Sequence, residues 1–453
     1  MAELSAYEKQ RLENIAKNEA QLELLGIESV VPKAATKPAT KRQRSNPPPA
    51  PPERFMRPRD GSGAAAAASS GVEQTAEAAA PKKEPTPALD PARVGVVIGS
   101  PEDMVAGLDR AGLAANGTSS RPSRKAAVDK PAPLHLSALT VKESDVAKPV
   151  PNRVTSLVLH PARIRMLAAA GDEKGHIGIW DVDATGKQPI TFVHAHLGQV
   201  NGLRVLANAP QQLWTSCKDG SISCVDLTSG AIAKQARISD CQVLGLSREL
   251  GAGGALAISC SNGNVALLDH RTTSLNMLVL HAKCVYSSEW SPSRPWQLAT
   301  ASQDYTVKLW DLRSTKGALN PATTFMHARS VTAVRFSASG DRLVTTCSNS
   351  TLSVFDGLNS DQPCEMSVFS HDHDTPRYVT PFQAEWLAGS DDKIILGSLA
   401  KPCGLDIYSC AAAGLACRLE AKNVTTVLSL VACHPVLPAL VASNSNGKCF
   451  VWR

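Results

Sequence analysis

One stretch of the chain, residues 281–314 (HAKCVYSSEWSPSRPWQLATASQDYTVKLWDLRS), limits the possible folds more than any other. It holds three short alternating apolar runs, at 285–290, 297–302 and 306–310. Pro292 and Pro295 separate the first two, and Gln303-Asp304-Tyr305 turns the chain between the second and third. Alternation bounded by turn residues predicts three antiparallel strands. A lone meander of three strands cannot bury its faces, so it requires neighbours like itself. The first strand has counterparts starting at Val154, Val200, Val243, Val331, Val379 and Val424. The end of the third has counterparts at 179–183, 224–228, 267–271, 354–358, 405–409 and 450–453. The fold class is therefore all-β: seven four-stranded blades closed into a ring over residues 136–453. The last copy supplies only three strands of its own. Residues 137–143 (SALTVKE) alternate, and are expected to add its outermost strand so that the ring closes without a free edge.

The spacing of these copies, with Trp310-Asp311 ending the third strand, resembles the WD-repeat family. The resemblance covers the last two-thirds of the chain. In that family a histidine before the first strand and an aspartate in the tight turn join a buried hydrogen-bonded set. His281, Ser302, Asp304 and Trp310 match it, which implies a structural rather than catalytic role. Cys217, Cys260 and Cys347 share one place in three repeats, filled by Ser302 in a fourth, and read as small core positions. All twelve cysteines lie between Cys217 and Cys449 without a C-x-x-C pair, which fits a reducing compartment.

The remainder of the chain differs in composition. Residues 1–28 read as a helix, with a capping-box pattern at Ser5 and Glu8 and with Leu12, Ile15, Leu22 and Leu25 on one stripe. Residues 29–135 are rich in Pro, Ala and basic residues, and are expected to be a disordered arm. A basic block there (Lys33, Lys37, Lys41, Arg42, Arg44, Arg54, Arg57 and Arg59) is either a solvated tail or a nuclear-localisation or nucleic-acid patch. Tyr7, Arg11, Asn14, Ile15, Asn18, Leu22, Leu25 and Gly26 resemble the N-terminal signature of the changed-mutation-rate family of nuclear DNA damage-binding WD-repeat proteins. That resemblance implies nuclear localisation and a role in the DNA damage response. No segment reads as a signal peptide or membrane span, so no membrane partner is expected.

No catalytic residue, metal ligand set or cofactor is expected. His371-Asp372-His373-Asp374 reads as a loop, and Gly251–Gly254 lacks the phosphate-loop pattern. Binding is expected instead. A basic residue precedes the first strand in most repeats: Arg153, Lys283, Arg329, Arg377 and Lys422. The turns between second and third strands add Lys174, Lys218 and Lys401. In a propeller these two loop classes lie on one face. A ring of cations there predicts an anion partner, with duplex DNA, damaged or undamaged, the best fit. On the opposite face, Trp310, Asp311 and Arg313 form W-D-x-R, and Asp269 and Arg271 repeat it one copy earlier with Leu268 for Trp. Two such boxes resemble the adaptor-binding elements of substrate receptors of cullin-RING ubiquitin ligases, as in the small subunit of the damaged-DNA-binding heterodimer. The competing reading is a protein-interaction scaffold, for histones or peptides, without direct DNA contact.

Overall fold

Strands Val285–Trp290, Gln297–Ser302 and Thr306–Asp311 form an antiparallel meander, joined on its outer side by Thr323–Met326. This is blade 4 in a computed structural model of the chain, which describes residues 97–98, 136–184, 190–248, 251–313, 319–360, 363–375 and 378–453. Six further sheets repeat the plan, giving a seven-bladed propeller. Their inner strands are Val154–Leu159, Val200–Leu206, Val243–Leu246, Val331–Phe336, Glu385–Trp386 and Leu428–Cys433 (blades 1, 2, 3, 5, 6 and 7). The expected N-terminal helix, the basic block at 33–59 and Arg377 lie outside the described residues.

Each interface between neighbouring blades has its own apolar cluster, so the core is a ring rather than a centre. Between blades 4 and 5, for example, Ala299, Val307 and Leu309 face Val331, Val334 and Leu343, and Phe325 stacks on Phe355 at 4.0 Å. The inner strands open with a fully buried valine in five blades and a leucine in blade 7. A β-bulge follows that residue in each of these six. The bulge re-aims the strand where the blades converge. Little room remains there: a Cβ on Gly202 would lie 2.5 Å from Cβ of Leu246 in the next blade. Cys217, Cys260, Ser302 and Cys347 all end second strands and are buried.

Three expectations require correction. The inner strands of blades 6 and 7 begin at Glu385 and Leu428, not at Val379 and Val424. Pro381 cannot donate to a ladder, and Val424 closes a turn onto the carbonyl of Ala421. Nor is 137–143 a strand. Leu136–Ala138 and Glu143–Asp145 are 3₁₀ turns, and the fourth strand of blade 7 is Val146–Ala147, paired with Phe450 and Cys449. Asp145 imposes the turn by accepting from the backbone N–H of Lys142 at 3.2 Å. From 137–143, Thr140 alone exchanges backbone hydrogen bonds with Arg453, at 3.3 and 3.1 Å. Closure by the segment before blade 1 therefore stands, but its register lies further along the chain. Finally, the stretch 29–135, expected to be a disordered arm, contains the strand Val97–Ile98. These pair with Phe192 and Val193 as a fifth strand of blade 1.

Histidines link neighbouring blades on the face of the first-to-second-strand loops. His434 Nε2 donates to the carbonyl of Ala162 at 3.1 Å, while its Nδ1 accepts from Val436 and Leu437. His160 Nε2 lies 2.8 Å from the carbonyl of Pro210 in blade 2. Burial lowers both imidazoles, His434 to about 4, so they serve as neutral donor–acceptor bridges.

Candidate nucleic-acid interface

The face that carries the basic loops is defined by backbone hydrogen bonds. In five blades the turn between second and third strands donates an N–H to the segment just before the first strand. The pairs are Glu173 to Arg153, Lys218 to Gln199, Ser261 to Gln242, Gln303 to Cys284 and Ser348 to Ser330. The two loop classes are thereby laced together at one end of the channel. Lys174, Lys218, Lys283, Arg329, Lys401 and Lys422 are exposed on this face, one from each of blades 1, 2, 4, 5, 6 and 7. Arg153 differs: it is half-buried and held 2.9 Å from Glu173 of its own blade.

The acids in the same turns are mostly engaged inward. Asp172 is fully buried and accepts from Asn152, Lys174 and His176. Asp304 accepts from Thr306 and pairs with His281 at 2.8 Å. Burial works against the Asp304 carboxylate, yet the hydrogen bonds from Thr306 and His281 hold it below its ordinary range. The face is not uniformly cationic. Asp240, Asp372 and Asp374 are exposed in the connections leading into blades 3 and 6. Glu420, at the end of the outer strand of blade 6, is also exposed two residues before Lys422, so the cations dominate most clearly around blades 4 and 5.

The buried set in blade 4 is a chain: Asp304 to His281 Nδ1, His281 Nε2 to Thr300 Oγ1 at 2.7 Å, and Trp310 Nε1 to Thr300 Oγ1 at 2.8 Å. The central hydroxyl belongs to Thr300, not Ser302, which instead donates to the carbonyl of Lys283. Blade 2 repeats the chain as His196, Thr215 and Ser221, with Asp219 behind Ser221. His196, Cys217 and Asp219 are close enough to be considered as metal ligands. Both imidazole nitrogens are already hydrogen-bonded, however, and burial pushes the Cys217 thiol up to about 11. The group is a structural network. His371 and His373 are buried with their Nδ1 atoms 3.3 Å apart, while Asp372 and Asp374 point to solvent.

Sequence reading missed Tyr305. Gly175, Gly220, Gly263 and Gly447 close the equivalent turn in blades 1, 2, 3 and 7, all with positive φ. Blade 4 places Tyr305 there at φ 71°, with its side chain 42 % exposed and the Lys283 ammonium 5.5 Å from the ring centroid. A left-handed tyrosine is strained by roughly 1–3 kcal/mol. The signal was visible as glycine in four turns, with tyrosine in blade 4; blade 5 places Ser350 there, at φ 64°.

On the opposite face, Arg313 donates through Nε to both oxygens of Asp311 at 3.0 Å, and its guanidinium lies 5.2 Å from the ring of Trp296. Arg271 similarly holds Asp269, at 3.2 Å. Hydrogen bonds from Arg271 hold the Asp269 carboxyl down to about 2. Both arginines are exposed, in the last turns of adjacent blades 4 and 3. Trp310 is buried, so it positions the strand end and offers no surface to a partner.

Seven blades, five of them laced in this way, with the histidine–threonine–tryptophan chain in blade 4, make a seven-bladed WD-repeat β-propeller. The WD domain, G-beta repeat family matches residues 272–311 and 319–356. Each match starts before the outer strand of one blade and ends with the third strand of the next, so sequence repeat and blade are offset by one strand. The chain is similar to WD repeat-containing protein 76 of Xenopus laevis, at 27% identity, over 70% of this chain and 56% of that protein. It is also similar to DNA damage-binding protein 2 of Mus musculus, at 28% identity, over 68% of this chain and 72% of that protein. The corresponding protein of Oryza sativa is 26% identical over 66% of this chain and 55% of its own length. The chain thus spans about half the length of the WD repeat-containing protein 76 relatives it matches.

Proposed function

We propose that this chain is a nuclear, non-enzymatic DNA-binding propeller that acts in the response to DNA damage. The observation that carries the reading is the set of six exposed cations, each from a different blade, on one face of the channel. Local strand pairing gives no reason for cations to recur there, and mutual repulsion opposes it. DNA phosphates relieve that repulsion and release condensed counterions. Similarity to DNA damage-binding protein 2 supports the same partner. Tyr305 adds an aromatic ring among the cations, suited to stack on an exposed base.

Tyr305→Gly tests this with two readouts of opposite sign. Glycine takes the positive φ without strain, so thermal stability is expected to be unchanged or higher. Affinity for a duplex with an unpaired or damaged base is expected to fall about tenfold, in line with the roughly 1–3 kcal/mol carried by base–aromatic stacking. Lower stability with unchanged DNA affinity would assign Tyr305 to the fold and favour the scaffold reading.

The Asp–x–Arg pairs of blades 3 and 4 favour a second role for the opposite face, as a docking site for the adaptor of a cullin-RING ubiquitin ligase. Histones fit the basic face less well, being cationic themselves. Arg313→Ala together with Arg271→Ala is expected to reduce adaptor co-precipitation, with an interface loss of about 2 kcal/mol or more from the central contact. Arg313 is expected to contribute more, because its guanidinium is also oriented by Trp296. Full retention by the double variant would remove the adaptor from the proposal.

A further inference from the structure

Charged side chains from five consecutive blades meet inside the central channel. Arg204, Glu289, Arg335 and Glu385 stand at equivalent points of the inner strands of blades 2, 4, 5 and 6, and Arg248 follows the inner strand of blade 3. Arg248 donates to Glu289, with Nε 3.0 Å from Oε1, and to Glu385. Arg335 lies 3.4 Å from Glu289 and 3.6 Å from Glu385, and donates to Ser287 and Gln383. Two guanidinium groups therefore occupy both carboxylates. Arg204 is the third. It donates to the carbonyl of Leu203 at 2.6 Å, and no carboxylate of the described residues reaches salt-bridge distance. Its Nε is buried without a hydrogen-bond partner among them. Three arginines against two glutamates leave the cluster at a formal charge of +1. Burial, followed by repulsion from Arg335 and Arg248, pushes the Arg204 guanidinium down to about 9.

The same residues line a cavity of about 470 Å³. It extends to the loops between first and second strands, where Pro292, Ala338 and Pro435 are exposed. We propose that this channel binds one monoanionic carboxylate, which enters from that mouth and pairs with Arg204. Charge selects the class. One negative charge neutralises the cluster, whereas a dianionic phosphate would leave excess negative charge beside Glu289 and Glu385. The carboxylate has two possible sources: an acidic side chain of a partner, or a free small carboxylate. The mouth lies on the face away from the basic rim, so the inference does not rest on the DNA-binding reading.

Calorimetry on the full chain tests it with butyrate, with a terminally blocked alanine-based peptide carrying one glutamate, with its glutamine counterpart, and with inorganic phosphate. Wild type is expected to bind the glutamate peptide or butyrate. Arg204→Met is expected to fold, since removing an uncompensated buried charge does not destabilise, and to bind at least about tenfold more weakly. If it does not fold, Arg204→Gln is measured in its place. Binding of the peptide alone assigns the carboxylate to a partner side chain; binding of butyrate as well assigns it to a free carboxylate. No binding by wild type, equal binding by the Arg204 variant, equal binding of the glutamine peptide, or tighter binding of phosphate would each overturn the proposal.

Discussion

Removal of residues 1–148 is expected to unfold the propeller or leave it aggregated, whereas removal of 1–130 is expected to leave it folded and soluble. The longer deletion takes Val146–Ala147, the fourth strand of blade 7, and the Thr140 bonds to Arg453. It also takes Leu136, Leu139, Val141 and Val146, which pack against the cluster holding Phe450 and Trp452. Four partly buried apolar side chains at about 1 kcal/mol each, with several hydrogen bonds at about 1 kcal/mol, amount to roughly 5 kcal/mol or more. That rivals the whole stability of a typical domain. The strand left exposed, Cys449–Trp452, is buried along its entire length and would template aggregation. The shorter deletion removes only Val97–Ile98 from the described strands, and the outer edge it uncovers is like that of the other blades. Melting temperature and the soluble fraction of both truncations decide the matter. Equal values would show that the segment before blade 1 does not close the ring. A point substitution isolates the electrostatic part. Arg453 lies 2.7 Å from Asp145, which is fully buried, and also pairs with Asp183. Arg453→Ala would strand the Asp145 carboxylate, and a substantial loss of stability should follow.

The blades were legible in the sequence because their cause is local. Strict alternation with a buried valine at the strand start marks five inner strands at their observed residue. It fails where another constraint prevails: Pro381 delays the inner strand of blade 6, and Asp145 converts an alternating segment into a 3₁₀ turn. Alternation records which face a side chain would take, not whether the backbone can join a ladder. The rim cations were legible for a similar reason, since loop class determines face. Their pairing was not: nothing in spacing separates exposed Lys283 from Arg153, which is tied to Glu173. The channel cluster escaped altogether. Arg204, Glu289, Arg335 and Glu385 are tens of residues apart, and each reads alone as an outward residue of its strand. Only the closed ring turns that alternation inward onto a shared channel. Thr300 was passed over for Ser302 because two positions along a strand present the same side-chain direction.

Replacing Lys283, Arg329 and Lys422 together by alanine is expected to flatten the salt dependence of DNA binding. The three side chains are exposed and come from blades 4, 5 and 7; the connections into blades 4 and 5 carry no exposed acid, while exposed Glu420 stands two residues before Lys422. Each phosphate contact contributes about 0.9 to the slope of log affinity against log salt concentration, so the triple variant should lose roughly 2 to 3 from that slope. The loss should be the same on undamaged and damaged duplexes, because phosphate contacts position a protein without reading bases. Stability should change little, since none of the three forms a salt bridge within the described residues. Lys283 is the partial exception, through its contact with the Tyr305 ring. The measurement is a salt titration of wild type and variant on one duplex, alongside thermal melts. A reduced slope with an intact fold places DNA phosphates on this rim. An unchanged slope would mean that the six cations recur for solubility alone; DNA contact would then pass to the basic block at 33–59, and the propeller would be better read as a protein-binding scaffold. A slope reduced only on damaged DNA would separate the two contributions differently, making the rim a reader of distorted backbone rather than a general phosphate contact.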